Sequence, residues 1–292
     1  MSVNEIKASV VRSRSRHIVP AWLSADARTT ISFGYLLVMA FVSMFPWLIA
    51  PYSPLEQDLM NTLMAPTWAH PMGTDDLGRD LLSRLIWGAR PSLSATALAV
   101  GLATVIGIPV GLAAGFLGGV VDNVISRIID ALLSFPAIIL AMAVIGALGI
   151  GLTNAMIAIG LVFSPILARL VRSQAIVVRN ELYVDAARCF GMPTWRIILR
   201  HILPNSVQPV LVQMTLLLSL ALLAEASLSY LGLGVQAPEP SWGGMLARAQ
   251  TYIALVPAQM YPPGLAILFT ALAFNSLGEA VRVALDPTKR KR

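Results

Sequence analysis

The stretch NELYVDAARCFGMPTWRIILRHILPN, residues 180–205, is polar and arginine-rich, and it lies between apolar runs long enough to cross a bilayer. Its pattern predicts two short helices. Asn180 can cap the first, whose apolar face recurs at helical spacing through Leu182, Tyr183, Ala186, Ala187 and Phe190. Gly191 suits the left-handed position that ends a helix, and Pro193 prevents continuation. From these residues alone, the stretch is either an amphipathic loop on the membrane surface or a docking site for another protein.

The composition indicates a membrane protein that crosses the bilayer several times. Of 292 residues, 57% are hydrophobic and only 12% are charged, which excludes an ordinary soluble domain. The net charge of +6 does not indicate a nucleic-acid partner, because the basic residues lie in particular segments between apolar runs. The single cysteine, Cys189, excludes an intrachain disulfide, and we expect it to be a small buried residue.

Six apolar runs predict an all-α integral membrane protein with six transmembrane helices. Between Asp130 and Arg169 no charge occurs, which is too long for one helix, and the glycines near residue 150 divide this stretch. The predicted spans are residues 31–50, 92–116, 132–149, 154–171, 205–225 and 260–281. The first run is too long for the apolar part of a signal peptide, so we expect it to remain as an anchor.

The connecting segments set the predicted orientation. They are a tail at 1–30, a loop at 51–90, a short turn at 117–130, the polar loop at 172–204, an extramembrane segment at 226–257 and a basic tail at 283–292. Most lysines and arginines lie in the two tails, the short turn and the polar loop. Because cytoplasmic segments carry the excess of basic residues, we expect both termini and the polar loop to face the cytoplasm.

The chain lacks the lysine that a nucleotide-binding P-loop requires. Its only lysines are Lys7, Lys289 and Lys291, and none follows a glycine-rich loop. The sequence therefore excludes an ordinary P-loop ATPase, and any ATP-driven work would fall to partner chains.

Two further segments have competing interpretations. The acidic stretch around Asp75 could suggest a divalent-cation site. An amphipathic helix explains it better, with Thr74 as its cap, Asp75 and Asp76 in its first turn, and an apolar face at Leu77, Leu81, Leu82 and Leu85. We therefore expect no metal site in this chain. Gly107, Gly111 and Gly115 recur at four-residue spacing and predict close packing of the second span against another helix.

Glu225 is an acid at the end of the fifth predicted span. It is either an interfacial residue that reaches toward water or part of the translocation pathway or its gate, together with Gln213 and Ser219 of the same span. The three histidines are scattered and form no ligand cluster. No nucleophile–base pair appears, so we expect the chain not to be an enzyme.

The polar loop resembles the coupling motif in the membrane subunits of importers that are driven by a separate ATPase. That motif reads EAA, three residues, Gly, nine residues, Ile-x-Leu-Pro. The matching positions are Asp185, Ala186, Ala187, Gly191, Leu203 and Pro204. Asp185 replaces the usual glutamate, and His201 occupies the isoleucine position. The resemblance implies that this loop forms a coupling helix, between spans four and five, that docks into a groove on the ATPase.

Four other motifs resemble the C-type permeases of dipeptide and oligopeptide importers. They are GTDDLGRDLLSRLIWGAR (73–90), SLSYLGLG (227–234), PSWGGML (240–246) and ALDP (284–287). This resemblance covers nearly the whole chain from about residue 71. It implies the type I permease fold of ATP-binding-cassette (ABC) importers, with a core transmembrane domain at 91–282.

The resemblance also implies the partners and the cargo. The chain would pair with a homologous permease, two ABC ATPase subunits that bind ATP and magnesium, and an extracytoplasmic binding protein, in a bacterial inner membrane. No cofactor would bind to this chain itself. The cargo would be di- or oligopeptides, although related importers carry nickel chelates or haem. The rival interpretation is an ion-coupled secondary transporter, which requires ionisable residues deep in the bilayer.

Overall fold

The computed structural model describes residues 27–285. The two tails fall largely outside it, as do all three lysines and the end of the ALDP motif. The longer helices are α1 (Ala27–Met44), α3 (Leu81–Leu117), α6 (Leu152–Arg179), α9 (Leu203–Tyr230) and α11 (Tyr261–Leu285). The shorter ones are α2 (Pro46–Ile49), α4 (Gly119–Leu133), α5 (Ala137–Leu148), α7 (Leu182–Cys189), α8 (Thr194–Ile197) and α10 (Trp242–Thr251).

The helices confirm the prediction of an all-α membrane protein, with five apolar spans, or six where the bent pair described below counts as one span. Within residues 27–285, the five longer helices are each long and apolar enough to cross a membrane. The third segment is a pair, α4 and α5, that bends by 96° between Leu133 and Ala137. Pro136 explains the bend, because it has no amide hydrogen for the helix and disfavours helical geometry at the residue before it.

The start of the second span differs from the prediction. No helix begins at Thr74, and no separate amphipathic helix forms between residues 51 and 80. The helix begins instead at Leu81, where the Oδ2 atom of Asp80 accepts a hydrogen bond from the Ser83 amide at 2.7 Å. Gly78, with a φ of +71°, prevents a helix from running through this segment. The predicted amphipathic face therefore belongs to the first turns of α3.

The predicted turn at 117–130 is wrong, because most of it is the helix α4. Its acidic residues are explained by ion pairs with α6: Asp130 pairs with Arg169 at 2.5 Å, and Asp122 pairs with Arg172. In the sequence, charged residues on one face of this helix have the same pattern as a polar turn. The turn itself is only Gly118, which has positive φ, and α4 begins at Gly119.

The centre of the fold is the contact between α3 and α6, and the predicted role of the glycines in close packing is confirmed. A Cβ atom at Gly107, Gly111 or Gly115 would lie 2.8, 2.5 or 2.6 Å from a backbone carbonyl oxygen of α6. Only glycine allows this approach, as in other membrane helix pairs that use small residues every four positions. Around this pair, α9 packs on both helices and α11 packs on α9 and α1. The Tyr35 hydroxyl of α1 lies 3.1 Å from the Thr270 hydroxyl of α11.

Candidate functional site

The polar loop folds into a short helix, α7, that follows α6 almost without interruption. Asn180 is the residue that ends α6, and Glu181 occupies the capping position of α7, so the prediction that Asn180 caps the first helix is wrong. The loop is also shorter than the predicted 172–204, because α6 continues to Arg179.

Gly191 ends α7 as predicted. Its φ is +73°, and its amide donates to the Arg188 carbonyl at 2.9 Å, while the Met192 amide donates to the Ala187 carbonyl at 3.0 Å. These two bonds form a Schellman motif, in which glycine at the left-handed position satisfies the last carbonyls of the helix. The turn fixes the direction in which the chain leaves α7.

The helix α7 has two different faces. Val184 and Ala187 are buried in the same apolar core as α3 and α6. Leu182 and Phe190 are 86% and 90% exposed. Ala186 is also exposed, whereas Ala187 points inward, so the two alanines do not share one outward face. An apolar surface of this kind on a helix end is typical of a docking site.

Contacts of Arg188 join α7 to the end of α3. Its guanidinium lies over the Phe116 ring, 5.5 Å from the ring centre, and also pairs with Asp185 at 3.0 Å. The backbone carbonyl of Phe116 also accepts a hydrogen bond, at 3.1 Å, from Nη1 of Arg179 at the end of α6. Sequence reasoning missed this junction. No local pattern could have indicated it, because Phe116 and Arg188 lie on helices far apart in the chain.

The second predicted helix continues into the fifth span. Residues Thr194–Ile197 are α-helical, Ile198–Ile202 form a wider π-helical turn, and Leu203 and Pro204 are the first residues of α9. The π turn lies where the Pro204 ring would crowd the preceding carbonyls of a regular helix. Cys189 is exposed on α7, which corrects the prediction that it is buried.

The start of α9 also contacts α7 through polar side chains. Asn205 Nδ2 donates to the His201 carbonyl at 2.7 Å and to the Tyr183 hydroxyl at 3.3 Å, and the Tyr183 and His201 rings lie 5.9 Å apart. Residues near the two ends of the loop are therefore in direct contact.

The second candidate group, Gln213, Ser219 and Glu225, lies entirely on α9. Successive members are six residues apart, so they point in different directions around the helix. Ser219 is buried, and Gln213 is half-buried. The structure does not bring the three together on one face.

Glu225 is buried, with only 1% of its surface exposed, so it does not reach toward water. Its Oε1 atom accepts a hydrogen bond from the Ser229 hydroxyl at 2.7 Å. Ser229 in turn accepts a bond from the Val235 amide at 3.3 Å, which links the acid to the turn after α9. Within the described part of the chain, Oε2 has no close hydrogen-bond partner, although the carboxylate also lies near the side chain of Ser92 on α3.

We expect Glu225→Gln to assemble normally and to transport more slowly. The amide oxygen of glutamine can still accept the Ser229 bond, and the side chain fills the same volume. In glutamine, however, an amide NH2 group replaces Oε2. That group donates hydrogen bonds and cannot accept one when the surroundings of α9 rearrange. Complex yield and the rate of uptake, measured on the same preparation, check both parts. Uptake equal to wild type would show that the acid only supports the local packing.

Metal ligation has no support from the described structure. Between residues 27 and 285, no group of three or more histidine, cysteine or acidic side chains could hold an ion. The acidic segment considered above is occupied by internal contacts, including a 3.0 Å pair between His70 Nδ1 and Asp80 Oδ1.

Comparison with known proteins agrees with this architecture. Residues 107–291 match the family described as binding-protein-dependent transport system inner membrane component. A dipeptide transport system permease protein of Alkalihalophilus pseudofirmus is 44% identical over 256 residues, which cover 87% of this chain and 84% of that protein. A probable D,D-dipeptide transport system permease protein of Escherichia coli K12 is 41% identical, covering 91% of this chain and 90% of that protein.

Two further comparisons extend the similarity. A glutathione transport system permease protein of Escherichia coli O1:K1 is 41% identical over 262 residues, covering 89% of this chain and 86% of that protein. The fold also resembles a chain of the inward-facing MetNI methionine ABC transporter, with a TM-score of 0.56 and 19% identity, over 70% of this chain and 98% of that chain. The spans, the family match and these relatives together show that the chain belongs to the family of binding-protein-dependent transport system inner membrane components.

Proposed function

We propose that this chain is one of two permease subunits of an ATP-driven importer for short peptides, and that α7 is the helix through which ATPase subunits drive it. The observation that carries the proposal is the two-faced character of α7. Val184 and Ala187 anchor it in the transmembrane core, whereas Leu182 and Phe190 are almost fully exposed. An anchored helix with an exposed apolar surface can transmit the movement of a docked partner.

The contacts of α7 provide a route for that movement. Arg188 and Arg179 both hold Phe116 at the end of α3, and α3 packs on α6 without intervening side chains at its glycines. Arg172 of α6 pairs with Asp122 of α4. A displacement of α7 would therefore reach the ends of three helices through direct contacts, rather than through flexible loops.

ATP and magnesium would bind to the partner ATPase subunits. Because the only lysines of this chain lie outside any glycine-rich loop, its own contribution to hydrolysis would be mechanical. The remaining partners would be a homologous permease, which completes the pathway, and an extracytoplasmic binding protein, which delivers cargo. Both termini would lie in the cytoplasm of a bacterial cell, in agreement with the distribution of basic residues.

The relatives support a short peptide as the cargo. Their names assign dipeptide, D,D-dipeptide and glutathione transport to them, and all three cargoes are small molecules that contain peptide bonds. Nickel chelates and haem, which the sequence left open, receive no support from these relatives.

Reconstituted uptake tests the proposal. The complex of this chain, its sister permease and the ATPase subunits is placed in liposomes with ATP inside and binding protein outside, and radiolabelled dialanine is the probe. We expect uptake that requires both ATP and binding protein and that unlabelled dipeptides or glutathione reduce. Nickel–histidine and haem are the matched competitors and should have no effect. Uptake by this chain alone on a proton or sodium gradient would instead favour a secondary transporter.

A further inference from the structure

A cavity of about 600 Å³ lies between α1 and the core of the protein. Its walls come from α1, α3, α9 and α11, and every residue that lines it is apolar except Ser43, Arg90 and Ser94. Its size is that of a ligand site, since such sites typically measure about 300–1,000 Å³. Neither α7 nor Glu225 lines this cavity, so the coupling function does not account for it.

Arg90 lies at the depth of the lipid headgroups. Gly118, the residue that ends α3, follows 28 residues later, which is about 40 Å along a helix that rises about 1.5 Å per residue. The hydrocarbon core of a bilayer is about 30 Å thick, and the whole bilayer with its headgroups is about 40–45 Å thick. When Gly118 lies at one membrane surface, α3 therefore carries Arg90 to the headgroups of the opposite leaflet.

The cavity extends from Arg90 toward the middle of the membrane. Ala97 lines it about 10 Å further along α3, and Leu218 and Phe274 line it from the middle of α9 and α11. A cation at headgroup depth is therefore followed by an apolar space at acyl-chain depth. This distribution is complementary to a phospholipid, whose negatively charged phosphate precedes its acyl chains.

The guanidinium of Arg90 is available to such a phosphate. Arg90 is exposed, and no acidic side chain within residues 27–285 pairs with it. A guanidinium binds a phosphate through two parallel charge-assisted hydrogen bonds. Arginines near a membrane surface also reach the headgroups without any defined site. The apolar cavity beside Arg90 distinguishes it from such an arginine.

The lining of the cavity favours an anionic lipid over a peptide cargo. A dipeptide carries an ammonium group as well as a carboxylate, and no acidic side chain lines the cavity to pair with the ammonium group. For the same reason the site favours phosphatidylglycerol over phosphatidylethanolamine, whose headgroup carries an amine. The helix α1 forms one wall and has only Thr29 buried among its described residues, as expected of a helix that borders lipid.

We propose that this cavity binds one anionic phospholipid, with the phosphate on Arg90 and an acyl chain between α1, α3, α9 and α11. In the orientation given by the proposed function, the lipid belongs to the outer leaflet. The site itself depends neither on the cargo nor on the ATPase subunits. The bound lipid would hold α1 on the core, because its chain fills space that the side chains of these helices leave open.

The test measures lipid binding to the complete transporter complex, purified in detergent and stripped of lipid, by native mass spectrometry with phosphatidylglycerol as the probe. We expect phosphatidylethanolamine with the same acyl chains to bind at least about tenfold more weakly. Arg90→Gln should raise the Kd for phosphatidylglycerol by about tenfold or more, whereas Arg90→Lys keeps the charge and should lose less. Arg127→Gln, which changes an exposed arginine of α4 outside the cavity, is the matched control and should leave the Kd unchanged.

A second pair of variants tests the apolar part of the site. Ala97→Phe places a ring in the cavity and should weaken the binding of phosphatidylglycerol. Leu98→Phe, at the next position, changes an exposed side chain that does not line the cavity and should have no effect. Phosphatidylglycerol should also raise the temperature of thermal aggregation more for wild type than for Arg90→Gln, because a ligand stabilises the folded state that it binds.

The outcomes separate the lipid site from the proposed function, since neither ATP nor cargo enters the binding measurement. An unchanged Kd in Arg90→Gln or Ala97→Phe, or equal binding of the two lipids, would overturn the lipid site and leave the importer function standing. Equal weakening by Arg127→Gln would also overturn it, because surface charge alone would then hold the lipid. If Arg90→Gln binds lipid normally but raises the KM for dialanine uptake, Arg90 contacts the cargo and the lipid site is wrong. Should Arg90→Gln assemble poorly, Ala97→Phe against Leu98→Phe decides.

Discussion

Gly111→Val should almost abolish accumulation of the folded protein in the membrane. A Cβ atom at position 111 would lie 2.5 Å from the Ala168 carbonyl oxygen and 2.7 Å from the Val171 Cβ, so α3 and α6 would have to separate. Because the first contact is with backbone, no flexible side chain can move aside. Overpacking of a tight contact costs about 1–3 kcal/mol or more, a large part of a typical stability of about 5–15 kcal/mol.

The matched control is Gly101→Val on the same helix. Among the described residues, no atom lies within 4 Å of a Cβ placed at Gly101, so the same change in side chain meets open space. Membrane yield and the temperature of thermal aggregation should fall steeply for Gly111→Val and remain near wild type for Gly101→Val. Similar values for the two variants would show that the close approach of α3 and α6 is not what holds the fold together.

Phe190→Asp should separate the permease from its ATPase subunits without disturbing the membrane spans. The Phe190 side chain is 90% exposed, so its replacement costs the isolated chain little. In the proposed complex the same side chain is buried, and a carboxylate there would be desolvated. Loss of such an anchor residue costs about 2 kcal/mol or more, which corresponds to binding weaker by about 30-fold.

Co-purification of the ATPase subunits and ATP-driven uptake measure this effect together. Phe190→Leu keeps an apolar side chain and should retain most of both activities. A change at Ala187 would not test docking, because Ala187 is buried and a charge there would disturb the packing of α7. If Phe190→Asp retains normal amounts of ATPase, the exposed face of α7 is not the contact surface, and the stretch is an amphipathic loop at the membrane surface.

Features with a local physical cause could be predicted from the sequence. Gly191 was expected to end α7, because glycine readily adopts positive φ and Pro193 prevents the helix from continuing, and the φ of Gly191 is +73°. Glycines at four-residue spacing indicated the contact between α3 and α6, and uncharged runs indicated the spans. In each case the information lies in a few neighbouring residues.

Features that depend on distant residues could not be predicted. The charges of α4 resembled a polar turn, because their arginine partners lie on α6. Thr74 resembled a helix cap, but its hydroxyl donates to the Asn61 carbonyl at 2.5 Å, and Asp80 caps α3 instead. The periodicity of α7 showed its apolar positions without showing which of them face the core, so it grouped the buried Ala187 with the exposed Leu182 and Phe190.

Chemical labelling of Cys189 tests the central claim most directly, because it is the only cysteine in the sequence and lies exposed on α7. The experiment compares the rate of labelling by a membrane-impermeant maleimide in right-side-out and inside-out vesicles, with and without the ATPase subunits. We predict labelling only in inside-out vesicles, and strong protection when the ATPase subunits are bound. Labelling from the outer side, or an equal rate with and without the ATPase subunits, would contradict the assignment of α7 as the cytoplasmic coupling helix.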